Sequence, residues 1–155
     1  MKLNKTDILI LTLLQQDASM SVEAIANNVG ISKSACWRRI QKFESNGVIQ
    51  GRYTVLNPQE VDLSLTAYIS VRTNQHDDGW YKEFKELAES LVNVLEVYRM
   101  SGDLDYLLKA VVSDMASYDV LYKKLVKAKL LDVSAAFVME TLKQTTQLPL
   151  KPSLA

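Results

Sequence analysis

The chain has 155 residues, 48% of them hydrophobic, with 18 basic and 18 acidic side chains and no formal net charge. This length suits one ordinary domain or two small ones. A single cysteine, Cys36, excludes an internal disulfide and a cysteine-rich metal site, and it predicts a reducing, cytoplasmic compartment. Because no apolar run approaches the about 20 residues that a membrane-spanning helix needs, we expect no membrane partner.

The apolar run ILILTLL near the N-terminus predicts a first helix over residues 5–16. A signal peptide is disfavoured, because Asp7 precedes the run, QQD follows it and no small-residue cleavage site is in place. The predicted helix is apolar on nearly all sides. We therefore expect it to pack under the next two helices or against a second subunit.

Residues 21–52 predict two short helices joined by a glycine turn. Ser21 is the expected N-cap of a helix whose apolar residues recur at i, i+3, i+4 and i+7, and Gly30 ends that helix. Ser32 is the expected N-cap of the second helix, which Gly47 ends. The three predicted helices together form a helix-turn-helix domain over residues 1–52.

The second of these two helices has an apolar face and a polar, basic face. The apolar face, with Cys36, Ile40 and Phe43, is expected to be buried. The other face is a predicted recognition surface for the major groove of double-stranded DNA. The predicted DNA-binding residues are Ser32, Lys33, Ser34, Trp37, Arg38, Arg39 and Lys42.

The charges are distributed unevenly along the chain. An ordinary solvated helix face is the alternative interpretation of Arg38, Arg39 and Lys42. However, residues 1–52 carry seven basic and four acidic side chains, whereas residues 53–155 carry 11 basic and 14 acidic ones. The resulting charges of +3 and −3 place the positive potential at the helix-turn-helix, which favours DNA binding.

The C-terminal part of the chain predicts a different fold. After an extended linker over residues 53–62, with a turn at Asn57 and Pro58, the hydrophobic period changes to two. The segments that follow read as strand (LTAYISVRT), helix, strand, strand, helix and strand (VSAAFVMETL), with the two middle strands joined by a tight turn at Gly102. This order predicts a ferredoxin-like antiparallel sheet over residues 63–155, with both helices on one face. The fold class is therefore α+β.

The second face of this predicted sheet lacks a cover. Tyr68, Tyr98 and Met100 are expected on that face, and neither predicted helix packs there. Exposed apolar patches of this kind usually mark association surfaces. We therefore expect a homodimer in which two copies of the sheet cover each other.

Four segments in this order resemble the Lrp/AsnC (leucine-responsive regulatory protein) family over residues 3–150: LNKTDILILTLLQQDA, VGISKSACWRRIQKFESNGVIQGR, SGDLDYLLKAVVSD and VMETLKQTTQLPL. The resemblance implies a prokaryotic, nucleoid-associated transcription regulator. It also implies that the C-terminal module, called RAM, forms dimers that assemble into tetramers or octamers and binds a small amino acid between dimers. The implied effector-binding residues are Met100, Ser101, Gly102, Asp103, Asp105, Tyr106, Ser134, Ala135 and Ala136.

The chemistry of the implied effector site suits a zwitterion. Asp103 offers a negative charge to an ammonium group, and backbone N–H groups at the glycine turn suit a carboxylate. The alternative interpretation is that Asp103 and Asp105 only form the turn. His76, Asp77 and Asp78 are consecutive before a helix, where capping is a better interpretation than a metal site.

No pattern in the sequence is typical of an enzyme or of a cofactor site. The rival functions are an effector-independent, nucleoid-type DNA-binding protein and an amino-acid-sensing regulatory subunit of a metabolic enzyme. The basic helix-turn-helix favours DNA binding over the second of these.

Overall fold

The computed structural model describes residues 2–151 and divides the chain into two compact units. The first unit contains residues 2–54 and 143–151, and the second contains residues 55–142. The chain passes from the first unit to the second after Thr54, close to the domain boundary expected after residue 52. The tail over residues 143–151 differs from the expectation, because it belongs to the first unit and not to the sheet domain. Within the described chain, no helix has the length and apolarity to cross a bilayer.

Three helices form the body of the first unit, and their ends follow the predicted caps. The Ser21 hydroxyl accepts a hydrogen bond from the Ala24 N–H, and the Ser32 hydroxyl accepts one from the Ala35 N–H. Gly30 ends the second helix with a φ of 74°, a conformation that glycine adopts without strain. The helices are α1 (Lys5–Gln16), α2 (Val22–Val29) and α3 (Lys33–Ser45).

The three helices enclose a small apolar core. Cys36 lies in it without solvent exposure, and burial raises the pKa of its thiol above the ordinary value. Helix α1 packs under α2 and α3 as expected, but one of its apolar sides is not buried, because Leu9 is exposed. The buried apolar residues of this core are Ile10, Leu11, Ile25, Ala26, Cys36, Ile40 and Phe43.

The C-terminal tail packs on α1. The Gln15 side chain donates from Nε2 to the Leu148 carbonyl oxygen at 3.3 Å, and its Oε1 accepts a hydrogen bond from the Leu148 N–H at 2.7 Å. The Leu150 side chain packs against the apolar core of the first unit. The tail therefore completes the helical domain from the far end of the chain.

Truncation after Leu142 is expected to destabilise the first unit by about 1–3 kcal/mol, because the packing of Leu150 and both hydrogen bonds of Gln15 are lost. Hydrogen exchange of the α1 amides, measured by mass spectrometry, tests this. Exchange should accelerate in α1, while the strand over Tyr106–Val112 in the second unit serves as the internal control. Unchanged protection of α1 would show that the tail contributes nothing to the domain.

The second unit is the predicted ferredoxin-like domain. Its antiparallel sheet has the strand order β2 (Val94–Arg99), β3 (Tyr106–Val112), β1 (Leu65–Arg72), β4 (Asp132–Phe137). One apolar core joins the sheet to both helices. Asp77 and Asp114 cap these helices by accepting hydrogen bonds from the N–H groups of Trp80 and Ser117. The elements are β1 (Leu65–Arg72), α4 (Asp78–Ser90), β2 (Val94–Arg99), β3 (Tyr106–Val112), α5 (Met115–Leu125) and β4 (Asp132–Phe137).

Two details differ from the sequence prediction. The linker is not extended throughout, because Asn57 caps a short 3₁₀ helix over Pro58–Val61. Strand β4 ends at Phe137 and not at Leu142. Its partner is β1, which begins at Leu65, so that residues beyond 138 have no neighbouring strand with which to pair.

The sheet has one covered and one open face. Ala67, Ile69 and Val71 alternate towards the helices and are fully buried. Tyr68 and Tyr98 point to the other face, where they are 39% and 49% exposed. Strand registry places Leu107 and Lys109 on this open face, between the two tyrosines. The open face therefore extends across all four strands.

Candidate DNA-binding surface and effector site

The exposed side of α3 carries an aromatic ring and two unpaired cations. Trp37 is 53% exposed, although it is a large apolar side chain. Arg38 and Lys42 are exposed, and neither forms an ion pair with any carboxylate in residues 2–151. Unpaired guanidinium and ammonium groups remain available to phosphate and base edges. The predicted recognition face is therefore an open, cationic surface.

The N-terminal end of α3 adds polar groups to this surface. The Ser32 and Ser34 hydroxyls lie 3.2 Å apart, and the Lys33 ammonium lies 3.2 Å from a Glu23 carboxylate oxygen. Both partners of the Lys33 pair are largely exposed. Such a pair is weak in water, so it leaves Lys33 free to exchange its partner.

Arg39 has a different role from its neighbours. Its Nη1 donates to a carboxylate oxygen of Asp7, and it lies 3.5 Å from the Asn4 side-chain oxygen. Asp7 is only 7% exposed and forms a reciprocal capping box with Asn4, with both hydrogen bonds at 2.9 Å. Arg39 thus holds the start of α1 against α3, and this use of its guanidinium separates it from the other predicted DNA-binding residues.

A cleft of about 480 Å³ lies beside this ion pair. Lys2, Arg38 and Lys42 line it, together with the Asn4 and Asp7 side chains that Arg39 holds. Four cations border the cleft, and one of them, Arg39, pairs with its one carboxylate, Asp7. The basic surface therefore continues from α3 to the start of the chain.

The hairpin between β2 and β3 uses one of its two aspartates structurally. Asp105 accepts a hydrogen bond from the Thr73 N–H at 2.8 Å, and its own N–H donates to the Val71 carbonyl at 3.0 Å. Gly102 has a φ of 111°, which a residue with a side chain adopts only with strain. Asp103 is exposed and makes no hydrogen bond or ion pair with another described residue. Asp103 is therefore the free carboxylate of the turn.

The remaining predicted effector residues lie on opposite sides of the sheet. Ser134 and Ala136 belong to the open face, whereas Ala135 packs against the helical core. Tyr106 also faces the helices. Strand β1 separates β3 from β4, so within one protomer Ser134 lies about 10 Å from the hairpin strand. The structure thus brings Met100, Ser101, Gly102 and Asp103 together, but not with Ser134, Ala135 and Ala136.

A polar cluster on the open face was missed by the sequence analysis. The Glu96 carboxylate accepts hydrogen bonds from the Tyr98 hydroxyl at 2.6 Å and from the Lys109 ammonium at 3.0 Å. The hydrogen bond from Tyr98 makes the largest contribution to lowering the pKa of Glu96, and the one from Lys109 adds to it. The same two hydrogen bonds raise the pKa values of Tyr98 and Lys109. The sequence shows Glu96 and Lys109, but that the two side chains meet depends on the register between β2 and β3.

Two family models match the two units. One is described as the Lrp/AsnC ligand binding domain and matches residues 66–148, and the other is described as a winged helix-turn-helix DNA-binding domain and matches residues 3–50. The chain belongs to the Lrp/AsnC family. Among its relatives, the glutamate uptake regulatory protein of Zymomonas mobilis is 46% identical over 96% of this chain and 92% of its own length.

Solved structures of Lrp/AsnC proteins show the same fold. An AsnC family transcriptional regulator from Agrobacterium tumefaciens is 46% identical, with a TM-score of 0.90 over 95% of this chain and 97% of that one. A transcriptional regulator from Neisseria meningitidis in complex with L-Met is 31% identical, with a TM-score of 0.89 over 95% and 96% of the two chains. The predicted family and α+β fold class are thus confirmed. This Lrp/AsnC protein is a DNA-binding transcription regulator with a ligand-binding domain, and its relatives are regulators rather than enzymes.

The histidine-containing loop has the expected structural role. Asp77 is the N-cap of α4, with its Oδ1 accepting the Trp80 N–H at 2.9 Å. In residues 2–151 no three side chains of His, Cys, Asp or Glu converge on a point suited to a metal ion.

Proposed function

We propose that this Lrp/AsnC regulator acts in the cytoplasm as a homodimer that reads operator DNA through α3, and that a free amino acid bound by residues 63–142 alters its assembly or its DNA affinity. The exposed, unpaired Arg38 beside Trp37 carries the DNA-binding part of this proposal. Residues 1–52, together with the tail, form the DNA-binding domain.

The N-terminal half of α3 enters the major groove in this proposal. Recognition helices read base edges mainly from their N-terminal residues, here Ser32, Lys33, Ser34, Trp37 and Arg38. Lys42 lies one turn further along α3 and contacts phosphate, where a flexible ammonium acts as a point charge. Arg39 supports the surface through Asp7 and makes no base contact.

The substitution Arg38→Ala is expected to weaken binding to the operator by about 1–3 kcal/mol and to relax the preference at one base pair, because a bidentate guanine contact is lost. Fluorescence anisotropy with operator and random duplexes measures both effects. The matched control is Lys5→Ala, which removes an exposed cation of α1 in the same unit. Equal weakening on both duplexes would make Arg38 a phosphate contact, and unchanged affinity would exclude α3 from the interface.

The effector site in this proposal joins the hairpin of one subunit to β4 of another. Asp103 binds the ammonium group, and backbone N–H groups at the Gly102 turn bind the carboxylate. Ser134 and Ala136 lie too far from the hairpin within one chain, so a second copy supplies them. The small side chain of Ala136 and the apolar side chain of Met100 favour an apolar amino acid, and the L-Met complex of the Neisseria relative supports this class of ligand.

An amino acid is expected to bind the full-length protein with a dissociation constant below about 1 mM, which corresponds to about −4 kcal/mol. Calorimetry with the twenty amino acids measures it. Asp103→Ala should abolish the binding event at the hairpin, whereas Asp119→Ala on α5 should leave it unchanged. Binding that ignores the Asp103 substitution would contradict the hairpin assignment, and the absence of all binding would support an effector-independent regulator.

A further inference from the structure

A polar cavity lies on the helical side of the sheet, away from the open face. It has a volume of about 330 Å³ and lies between the start of α4 and the end of the edge strand β2. A smaller cavity of about 210 Å³ continues along the same groove and shares Tyr81, Arg99 and Tyr106 with it. The main lining residues of the larger cavity are Gln75, His76, Asp78, Tyr81, Arg99 and Tyr106.

Tyr106 presents an unpartnered hydroxyl to this groove. Its side chain is only 7% exposed, and its ring packs against Phe84 and Trp80 at centroid distances of 4.8 and 5.9 Å. The hydroxyl makes no hydrogen bond within residues 2–151. No side-chain nitrogen or oxygen in that range is both fully buried and unpartnered, so the hydroxyl must reach solvent, and the groove is where Tyr106 is open. Among the described residues it has no partner, so a ligand or a water molecule in the groove is left to provide one.

Arg99 places an unpaired cation beside this hydroxyl. Its guanidinium makes no ion pair with any described carboxylate, and it lines both cavities together with Tyr106. Arg99 is the register partner of Tyr106 on the neighbouring strand, which places the two side chains next to each other. Burial raises the pKa of Tyr106, and the positive charge of Arg99 opposes that rise. A guanidinium and a phenolic O–H next to each other form a donor set for a carboxylate.

The opposite wall of the larger cavity supplies a negative charge. Asp77 is occupied by the N–H of Trp80, but the Asp78 carboxylate has no such partner among the described residues. A carboxylate at this wall suits an ammonium group. The volume is at the lower end of the about 300–1,000 Å³ that is typical of ligand pockets, and it suits a molecule the size of an amino acid.

We propose that this groove is a second ligand site, which binds a free amino acid within one protomer, with its carboxylate on Arg99 and Tyr106 and its ammonium group on Asp78. The site is separate from the hairpin site, because it faces the helices and needs no residue from a second copy. Gln75, His76 and Tyr81 remain to contact the ligand side chain. A single chain would therefore hold two amino acids, one on each side of its sheet.

Calorimetric titration of the full-length protein with L-glutamate and L-methionine tests this site. For at least one probe we expect two binding events per protomer. Tyr106→Phe removes only the hydroxyl and should weaken one event about tenfold, as expected for a hydrogen bond to a charged group. Arg99→Gln should weaken the same event at least as much, and being at an exposed position it is not expected to disturb folding. The matched control Tyr122→Phe removes a hydroxyl on α5, outside the groove, and should change nothing.

The hairpin and groove sites fail in different ways. If Asp103→Ala abolishes one event and leaves the other, which is sensitive to Tyr106→Phe, both sites stand. If all binding depends on Asp103 and none on Tyr106 or Arg99, the groove proposal is overturned while the hairpin site remains. If all binding depends on Tyr106 and Arg99, the groove stands and the hairpin assignment falls. Absence of binding by both probes overturns the groove proposal.

Discussion

The substitution Phe84→Ala is expected to lower the free energy of unfolding of the second unit by about 3–5 kcal/mol, because it leaves a cavity where an aromatic ring was packed. Phe84 is 2% exposed, and its ring stacks on Trp80 at 5.1 Å and contacts Tyr106 at 4.8 Å. It therefore joins α4 to β3 at the centre of the core. Urea denaturation followed by Trp80 fluorescence in a Trp37→Phe background measures the loss.

The control for Phe84→Ala is Val92→Ala, which shortens an exposed side chain in the turn after α4 and should change stability by less than about 0.5 kcal/mol. Phe84→Ala also reports on the groove, since Tyr106 then loses one of its two ring contacts. A destabilisation below about 1 kcal/mol would show that the core collapses around the missing ring and that α4 is not anchored through Phe84.

Features that depend on local chemistry could be predicted from the sequence. Ser21, Ser32 and Asp77 cap helices because a short polar side chain reaches an N–H two or three residues ahead, and that geometry is fixed by the local chain. The alternation in β1 likewise identified the buried Ala67 and Ile69. The order of these elements then determined the α+β fold class and supported the family resemblance.

Features that depend on contacts between distant residues could not be predicted. The charge run of α3 places Arg39 in the predicted DNA-binding set, but its partner Asp7 is 32 positions away, and their contact depends on the packing of α1 on α3. The contact between Gln15 and Leu148 spans 133 positions and involves no periodic pattern. Local sequence carries no signal for such pairs.

The effector residues show the same division. The resemblance identified the hairpin and β4, but the orientation of each side chain depends on strand register. Alternation places Ala135 and Tyr106 on the helical side and Ser134 on the open face. The nine residues that the family resemblance assigns to one effector site are thus divided by the sheet within one protomer, and a complete site needs a second copy.

The substitution Leu107→Glu is expected to dissociate the homodimer, because it places a carboxylate at the centre of the open face. Strand registry sets Leu107 between Ser70 on β1 and Tyr98 on β2, next to the Glu96 cluster. In a two-fold interface each substitution occurs twice, so two new carboxylates would be buried near two existing ones. We expect the dimer dissociation constant to rise at least about 100-fold, or about 2.7 kcal/mol.

Sedimentation velocity of the full-length variant measures this dissociation, with Val120→Glu on the exposed side of α5 as the control. A dimer carries two copies of α3, so its loss should reduce affinity for a two-half-site operator by about 100-fold or more through lost avidity. Affinity for a single half-site should not change, because Leu107 lies in the other unit and contacts no DNA. If the variant remains dimeric at low micromolar concentration, the two subunits associate through a different surface, and the open face must have another partner.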